Sequence, residues 1–447
     1  GSDDGVGLKL GSTTLGVAIM TPSGFAGLEL PEQVKYNMPT YFAAKATIES
    51  AELIGMDSIL EARVEGVEIN INTSMTKLIP ANTALFLPMP HIDFKHMLNT
   101  NLHWGEEGLK IDTGNDENPV YLDFGNEIIQ AKVEYFQGEL AGVMQVAGSM
   151  AFTKRGSETV TLNNGDTRTV TSLSLGMTDV YGFVGIGGYW EENPLTNKID
   201  GSVTNSDAFG LAVEDLDIGA VFMLDTNPHN PATYFAADVN LAKAGLVGIE
   251  GITAELSQAM LDLNQTVSGD GAVVDFSKSS YQLTQDGPIQ AGYLIETGDI
   301  EKPIIIDFSE RVLRVQGEAE FDAFDLIQLD GVFEIKLTDE EFNLFVDASA
   351  HIGPDSFGLE VAKAQVLFVV NSAGVAARAL LEDANVDLGA AAQLNVEKME
   401  LILNTTGQTI VYQVPEEFQA RIGDQTIAIS NIPPDKTDAQ DFYLSLE

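Results

Sequence analysis

Phe342-Asn-Leu-Phe-Val-Asp-Ala-Ser-Ala-His-Ile352 decides the fold class. Phe342, Leu344, Val346, Ala348, Ala350 and Ile352 alternate with mostly polar or small neighbours. A period of two places alternate side chains on opposite faces of an extended chain, so the stretch predicts a half-buried β-strand. Phe333, Ile335 and Leu337 alternate in the same way with Glu334 and Lys336. The strand signals are separated by turn signals: Asn163-Asn-Gly-Asp166, Gly185-Ile-Gly-Gly188, Ser268-Gly-Asp-Gly271 and Gly353-Pro-Asp355. Thr159–Leu162 and Thr167–Leu175 flank an Asn-Gly pair, which supplies the positive φ of a tight hairpin turn. Only Ala373–Ala384 reads as a short helix. The expectation is an all-β chain, an elongated array of antiparallel sheet repeats with few or no helices.

Internal repetition supports the array. Asp4-Gly-Val-Gly-Leu8 returns as Asp207-Ala-Phe-Gly-Leu211 and Asp355-Ser-Phe-Gly-Leu359. Gly7-Leu-Lys-Leu-Gly-Ser-Thr-Thr-Leu-Gly-Val-Ala-Ile-Met20 parallels Gly210-Leu-Ala-Val-Glu-Asp-Leu-Asp-Ile-Gly-Ala-Val-Phe-Met223. Tyr41-Phe-Ala-Ala44, Leu53-Ile-Gly55 and Pro119-Val-Tyr-Leu-Asp-Phe124 then recur in order as Tyr234-Phe-Ala-Ala237, Leu246-Val-Gly248 and Pro303-Ile-Ile-Ile-Asp-Phe308. The shrinking spacing places extra residues in the first copy, before Tyr41 and around Pro80–Trp104. Three units are expected: residues 3–205 with insertions, 206–353, and a divergent or partial third over 354–447.

Charge narrows the function. The 447 residues carry 23 Lys and Arg against 67 Asp and Glu, a net charge of −44. Such a chain repels nucleic acid and anionic surfaces, which bind through basic patches. With no cysteine, disulfides, thiolate metal sites and cysteine nucleophiles are excluded. No run of apolar residues is long enough for a spanning helix. Gly1-Ser2 reads as a cloning remnant with no signal peptide after it, so an internal piece of a longer chain is expected.

Abundant carboxylates make calcium the expected ligand, since it takes six to eight oxygens. Asp112-Thr-Gly-Asn-Asp-Glu-Asn118 offers Asp112, Asn115, Asp116 and Glu117 beside a glycine; Asp225 and the recurring Asp4, Asp207 and Asp355 are further candidates. None matches an EF-hand loop, and an Asp side chain capping its own turn is the competing reading. His91-Ile-Asp-Phe-Lys-His-Met97, with His103 beyond, invites a metal reading. Its odd spacings put the histidines on opposite faces of a strand, and a surface loop with aromatic packing is favoured. Gly182–Gly188 lacks the Lys-Ser/Thr of a phosphate loop and reads as glycine-permitted bending. No nucleophile elbow occurs, and no catalytic residues are assigned.

Thr159-Val-Thr-Leu-Asn-Asn-Gly165, Ser172-Leu-Ser-Leu-Gly176, Val180–Gly188, Asp207–Leu211, Tyr234–Ala237, Leu246-Val-Gly-Ile-Glu-Gly-Ile252, Val274-Asp-Phe276 and Ile306-Asp-Phe308 together resemble a long degenerate repeat of very large bacterial surface and secreted proteins exported by type I systems. The third unit departs from it, with Leu380-Leu-Glu-Asp383 where aromatic-Ala-Ala is expected. The resemblance implies an extracellular or cell-surface location and a structural or adhesive, non-enzymatic role. Its partners would be neighbouring repeats and a cell-surface or polysaccharide ligand. The alternative is a binder of lipid or another hydrophobic ligand, in which amphipathic stretches such as 128–152 and 312–337 form an apolar groove. A carbohydrate-active enzyme ranks behind both.

Overall fold

A computed structural model describes residues 7–22, 38–54, 60–75, 87–95, 104–105, 108–114, 119–227, 229, 231–269, 271–281, 288–354, 358–387, 393–433 and 438–446. The chain forms one antiparallel sheet of 17 strands. Gly7–Leu10 and Thr13–Met20 lie end to end along Thr40–Ile54, and from there each strand pairs with the next in sequence through to Tyr443–Leu446. The longest strand, Thr167–Ile186, has 20 residues. At about 3.4 Å per residue it extends to roughly 65 Å.

Local chemistry explains the turns. Thr161 pairs with Thr167 across the Asn-Gly turn, where Gly165 has φ +88°. The amphipathic stretches 128–152 and 312–337 are each folded back as hairpins. Ala141-Gly142 and Phe324-Asp325 take positive φ at both central positions, the geometry of the tightest hairpin turns. Phe324-Asp325 carries no glycine, so composition gave no signal there. The segment read as a helix, Ala373–Ala384, lies almost wholly in the strand Gly374–Asp387, paired on both sides. Its small residues have high helix propensity, but cross-strand partners override it. The one α-helix among the described residues is Glu416–Ile422, closed by Gly423 in the left-handed conformation.

A strand succession recurs along the sheet. Three adjacent strands are followed by an excursion, then by a strand pairing with the third: Thr13–Met20, Thr40–Ile54, Leu60–Met75 and then Ile128–Leu140; Phe209–Asp225, Thr233–Val247, Ile252–Ser268 and then Val312–Ala323; Gly358–Asn371, Gly374–Asp387, Gln393–Asn404 and then Tyr443–Leu446. Segments that match in sequence share register. Met20 pairs with Tyr41 as Met223 does with Tyr234, and Leu8 with Leu53 as Leu211 does with Leu246. Each excursion lays a small hairpin over one face of the sheet. Val120 and Ile304 sit on these hairpins above Gly16 and Gly219, where a Cβ would meet the branched side chain at 2.6 Å.

Three buried asparagines fasten the excursions. The side-chain nitrogen of Asn72 donates to the carbonyls of Ile92 and Asn126, each at 2.8 Å. That of Asn264 donates to Val274 and Glu310 at 2.9 Å. That of Asn404 donates to Gln408 at 2.9 Å and Ile429 at 3.0 Å. Each amide ties two separate points of one excursion to the strand that precedes it. Opposite each lies a buried alanine, Ala43, Ala236 or Ala376, leaving room for the crossing. In the third set the counterpart of aromatic-Ala-Ala is therefore Gly374-Val-Ala-Ala377, and not residues 380–383.

Replacing Asn264 with Ala strands two buried carbonyls, each worth about 1–3 kcal/mol. Asn264→Ala should lower unfolding stability by about 2–4 kcal/mol in denaturant titration. Asn264→Asp should cost more, because a carboxylate would face the same two carbonyl oxygens.

Candidate functional site: an open apolar face

The described excursion hairpins all pack on one face. Their clusters join Phe94 and Leu122 to Ala43; Tyr293, Ile295 and Ile306 to Val221, Met223 and Tyr234; and Phe418 and Ile429 to Phe345, Leu367 and Val369. The hairpin Trp190–Asn193/Lys198–Thr204 does the same over Tyr135, Ala147 and Phe183.

The other face is apolar from edge to edge. Reading across paired residues gives Thr13, Ile48, Val67, Val133, Met150, Met177, Ile218, Val239, Leu261, Val315, Ile335, Leu344, Phe368, Ala377, Leu403 and Leu444. Only Thr13 is polar. A second row two residues along runs Leu15, Ala46, Ile69, Ala131, Phe152, Leu175, Ala220, Ala237, Leu263, Leu313, Leu337, Phe342 and Val370. Leu15 is 57% exposed, Leu175 37% and Leu337 41%. Such rows act as cross-strand pairs in which each side chain touches its neighbours on both sides.

A line of β-bulges beside the rows preserves this face. Register shifts fall between Val133 and Phe136, Met177 and Val180, and Ser257 and Met260, with Asp179, Asp215 and Gln258 at positive φ. An extra residue reverses the alternation beyond it. Met177 and Val184, an odd number of residues apart, thereby share the open face, as do Ile218 and Leu211. Simple period-two counting puts them on opposite faces.

The covered face holds the charge. Between the two apolar rows runs Glu68, Lys132, Ala151, Gly176, Gly219, Asp238, Asp262, Arg314, Lys336 and Asn343. Asp238 and Asp262 are direct cross-strand partners. Burial first, then the Asp262 charge, pushes the Asp238 carboxyl up to about 6. Asp262 is also raised, by burial, although Arg314 Nε donates to it at 2.7 Å. Glu334 is raised by burial and accepts from the Tyr412 hydroxyl at 2.6 Å. At the sheet's end Lys154 and Glu127 form a fully buried ion pair. The Leu87 carbonyl accepts from Lys154 at 2.9 Å, and the Met89 amide donates to Glu127 at 2.7 Å. Lys154 rises from the open-face row through Ile129 and Leu173, and this local cap removes its charge from that face.

The acidic candidates are dispersed. Asp112 follows the strand Gly108–Ile111 and pairs with Lys110 at 3.4 Å. Asn115, Asp116, Glu117, Asp355 and Asp4 lie outside the described residues. Asp207 precedes, and Asp225 ends, the 17-residue strand Phe209–Asp225, so the two stand at opposite ends of it. The buried Asp225 carboxylate lies 3.7 Å from Arg168 and accepts the Asn227 amide at 2.8 Å, which is the turn-capping role. Among the described residues no group of three or more His, Asp and Glu is placed to hold a metal ion. His91 Nδ1 lies 3.4 Å from the Met89 carbonyl, and Phe94 packs beneath the loop; His96 and His103 are outside the described residues. No helix among them is long and apolar enough to cross a membrane.

Sequence reading missed both the asparagines and the rows. The asparagines had a signal: Ile71-Asn-Thr-Ser74, Leu263-Asn-Gln-Thr266 and Leu403-Asn-Thr-Thr406 share an aliphatic-Asn-polar-hydroxyl pattern. The rows had none, because they exist only once pairing is known. Comparison with protein-family models, curated proteins and solved structures finds no match.

Two measurements probe this electrostatics. Asp238 has a folded pKa of about 6 against 3.8 unfolded, so its contribution is complete below about pH 4 and is lost as pH rises through about 6. Asp238→Asn should raise stability at neutral pH by about 1–3 kcal/mol and flatten the pH dependence of the melting midpoint across that window. Lys154→Met should cost about 3–5 kcal/mol by leaving Glu127 buried alone, and adding Glu127→Leu should recover most of the loss.

Proposed function

We propose that this chain is a non-catalytic structural module of a large extracellular bacterial protein, a β-rich rod that spaces or presents adhesive parts. The observation carrying this reading is the threefold strand succession with its asparagine fastening. One device used at intervals extends a sheet without limit, as repeat proteins do by stacking units. That succession supports unit boundaries near residues 205 and 353. At about 4.8 Å between strands the sheet is roughly 70 Å wide.

Acidity suits a secreted, solvated surface, and calcium at the acidic loops would relieve repulsion between carboxylates. A second reading, binding of a lipid or other hydrophobic ligand, has one observation in its favour, the open apolar face.

Single-particle imaging of the isolated chain should show a slab with one dimension near the calculated sheet width. A compact globule would overturn the rod. In a thermal melt, millimolar calcium should raise the midpoint over EDTA and over magnesium, since a ligand of the folded state stabilises by mass action. Equal midpoints would remove calcium and leave the structural role standing.

A further inference from the structure

We propose that the open apolar face is a self-association surface on which a second copy of this chain stacks, sheet against sheet. The first argument is area. A monomer tolerates apolar patches of a few hundred Å². The two rows described, about 70 Å long and about 14 Å across both, present roughly 1,000 Å². Exposed residues beyond the bulges, Val184, Ile186, Phe209 and Leu211, widen the patch further. A standard stable interface takes about 800 Å² from each partner. The face is therefore large enough for a permanent dimer.

The second argument is where the charge lies. A net charge of −44 opposes most ways of bringing two copies together. The ionisable side chains between the two apolar rows, Glu68, Lys132, Asp238, Asp262, Arg314 and Lys336, are on the covered face, and Lys154 is sealed by Glu127. Stacking by the apolar faces keeps the two charged faces outward. Packed sheets stand about 10 Å apart, so those charges are separated by more than the Debye length of about 8 Å. Stacking by the covered faces would instead bring those ionisable rows together.

The third argument is shape. A broad twisted sheet is complementary to another of the same twist, and aligned packing at about −30° is the usual result. A lipid surface is a poorer occupant, because the rows offer it no cationic side chain to engage headgroups.

Sedimentation equilibrium of the full chain, from nanomolar to micromolar concentration, tests the proposal. A species of twice 48.0 kDa is expected. Leu15→Lys, Leu175→Lys and Leu337→Lys combined should halve that mass with an unchanged circular dichroism spectrum. Lys substitutions at Glu68 and Lys132→Gln on the charged face should leave the dimer intact. Because the triple variant could fail to fold, Leu175→Cys in this cysteine-free chain also provides a single site for a polarity-sensitive dye. Its emission should shift to the blue as concentration rises. A monomer throughout with no dye shift, a dimer that survives the triple variant, or a monomer purifying with stoichiometric lipid on mass spectrometry would each overturn the proposal. None of these outcomes bears on the slab dimension that tests the structural role.

Discussion

A single layer of β-sheet can be stable only if something covers it, and here the covering is fastened by three side-chain amides. Asn72, Asn264 and Asn404 each reach two carbonyls from separate points of an excursion. Without those bonds the excursion would carry unpaired buried carbonyls where it crosses the strand it left, and such groups are costly. The buried alanine opposite each asparagine, and the glycines beneath Val120 and Ile304, follow from the same need to bring backbone close to backbone. The hydrophobic clusters around Phe94, Ile306 and Phe418 pack the same excursions onto the sheet.

The two faces divide the electrostatic work. Like charges such as Asp238 and Asp262 are tolerated side by side because Arg314 and proton uptake moderate them. Moving that row to the other face would break the apolar surface in most of its strands, at Glu68, Lys132, Asp238, Asp262, Arg314, Lys336 and Asn343. The bulges at Asp179, Asp215 and Gln258 serve the same separation. They let long strands bend without exchanging their faces.

Much of the fold was legible in residue patterns. Alternation at 342–352 and 333–337, the Asn-Gly turn at 164–165, and the ordered recurrence of Tyr-Phe-Ala-Ala all correspond to strands, a hairpin and matching registers. Ala373–Ala384 misled because alanine favours helix locally, whereas partners on both sides decide a strand. The turn at Phe324-Asp325 was invisible because its positive φ is imposed by pairing on either side. The candidate site was scarcely legible. Acidic loops are conspicuous in composition, whereas an apolar row is assembled from one residue in each strand, and each alone is an ordinary valine or leucine.

Neighbour-to-neighbour pairing has a kinetic consequence. All-β chains usually fold slowly because distant segments must find one another before any contact rewards the closure. In this sheet the two edges are the first and last strands, and each strand's partners are the next ones along the chain. Order can therefore advance from either end, one hairpin at a time, with the excursions as the longest closures. A chain emerging gradually from a narrow passage could set each strand as it appears, without waiting for its far terminus.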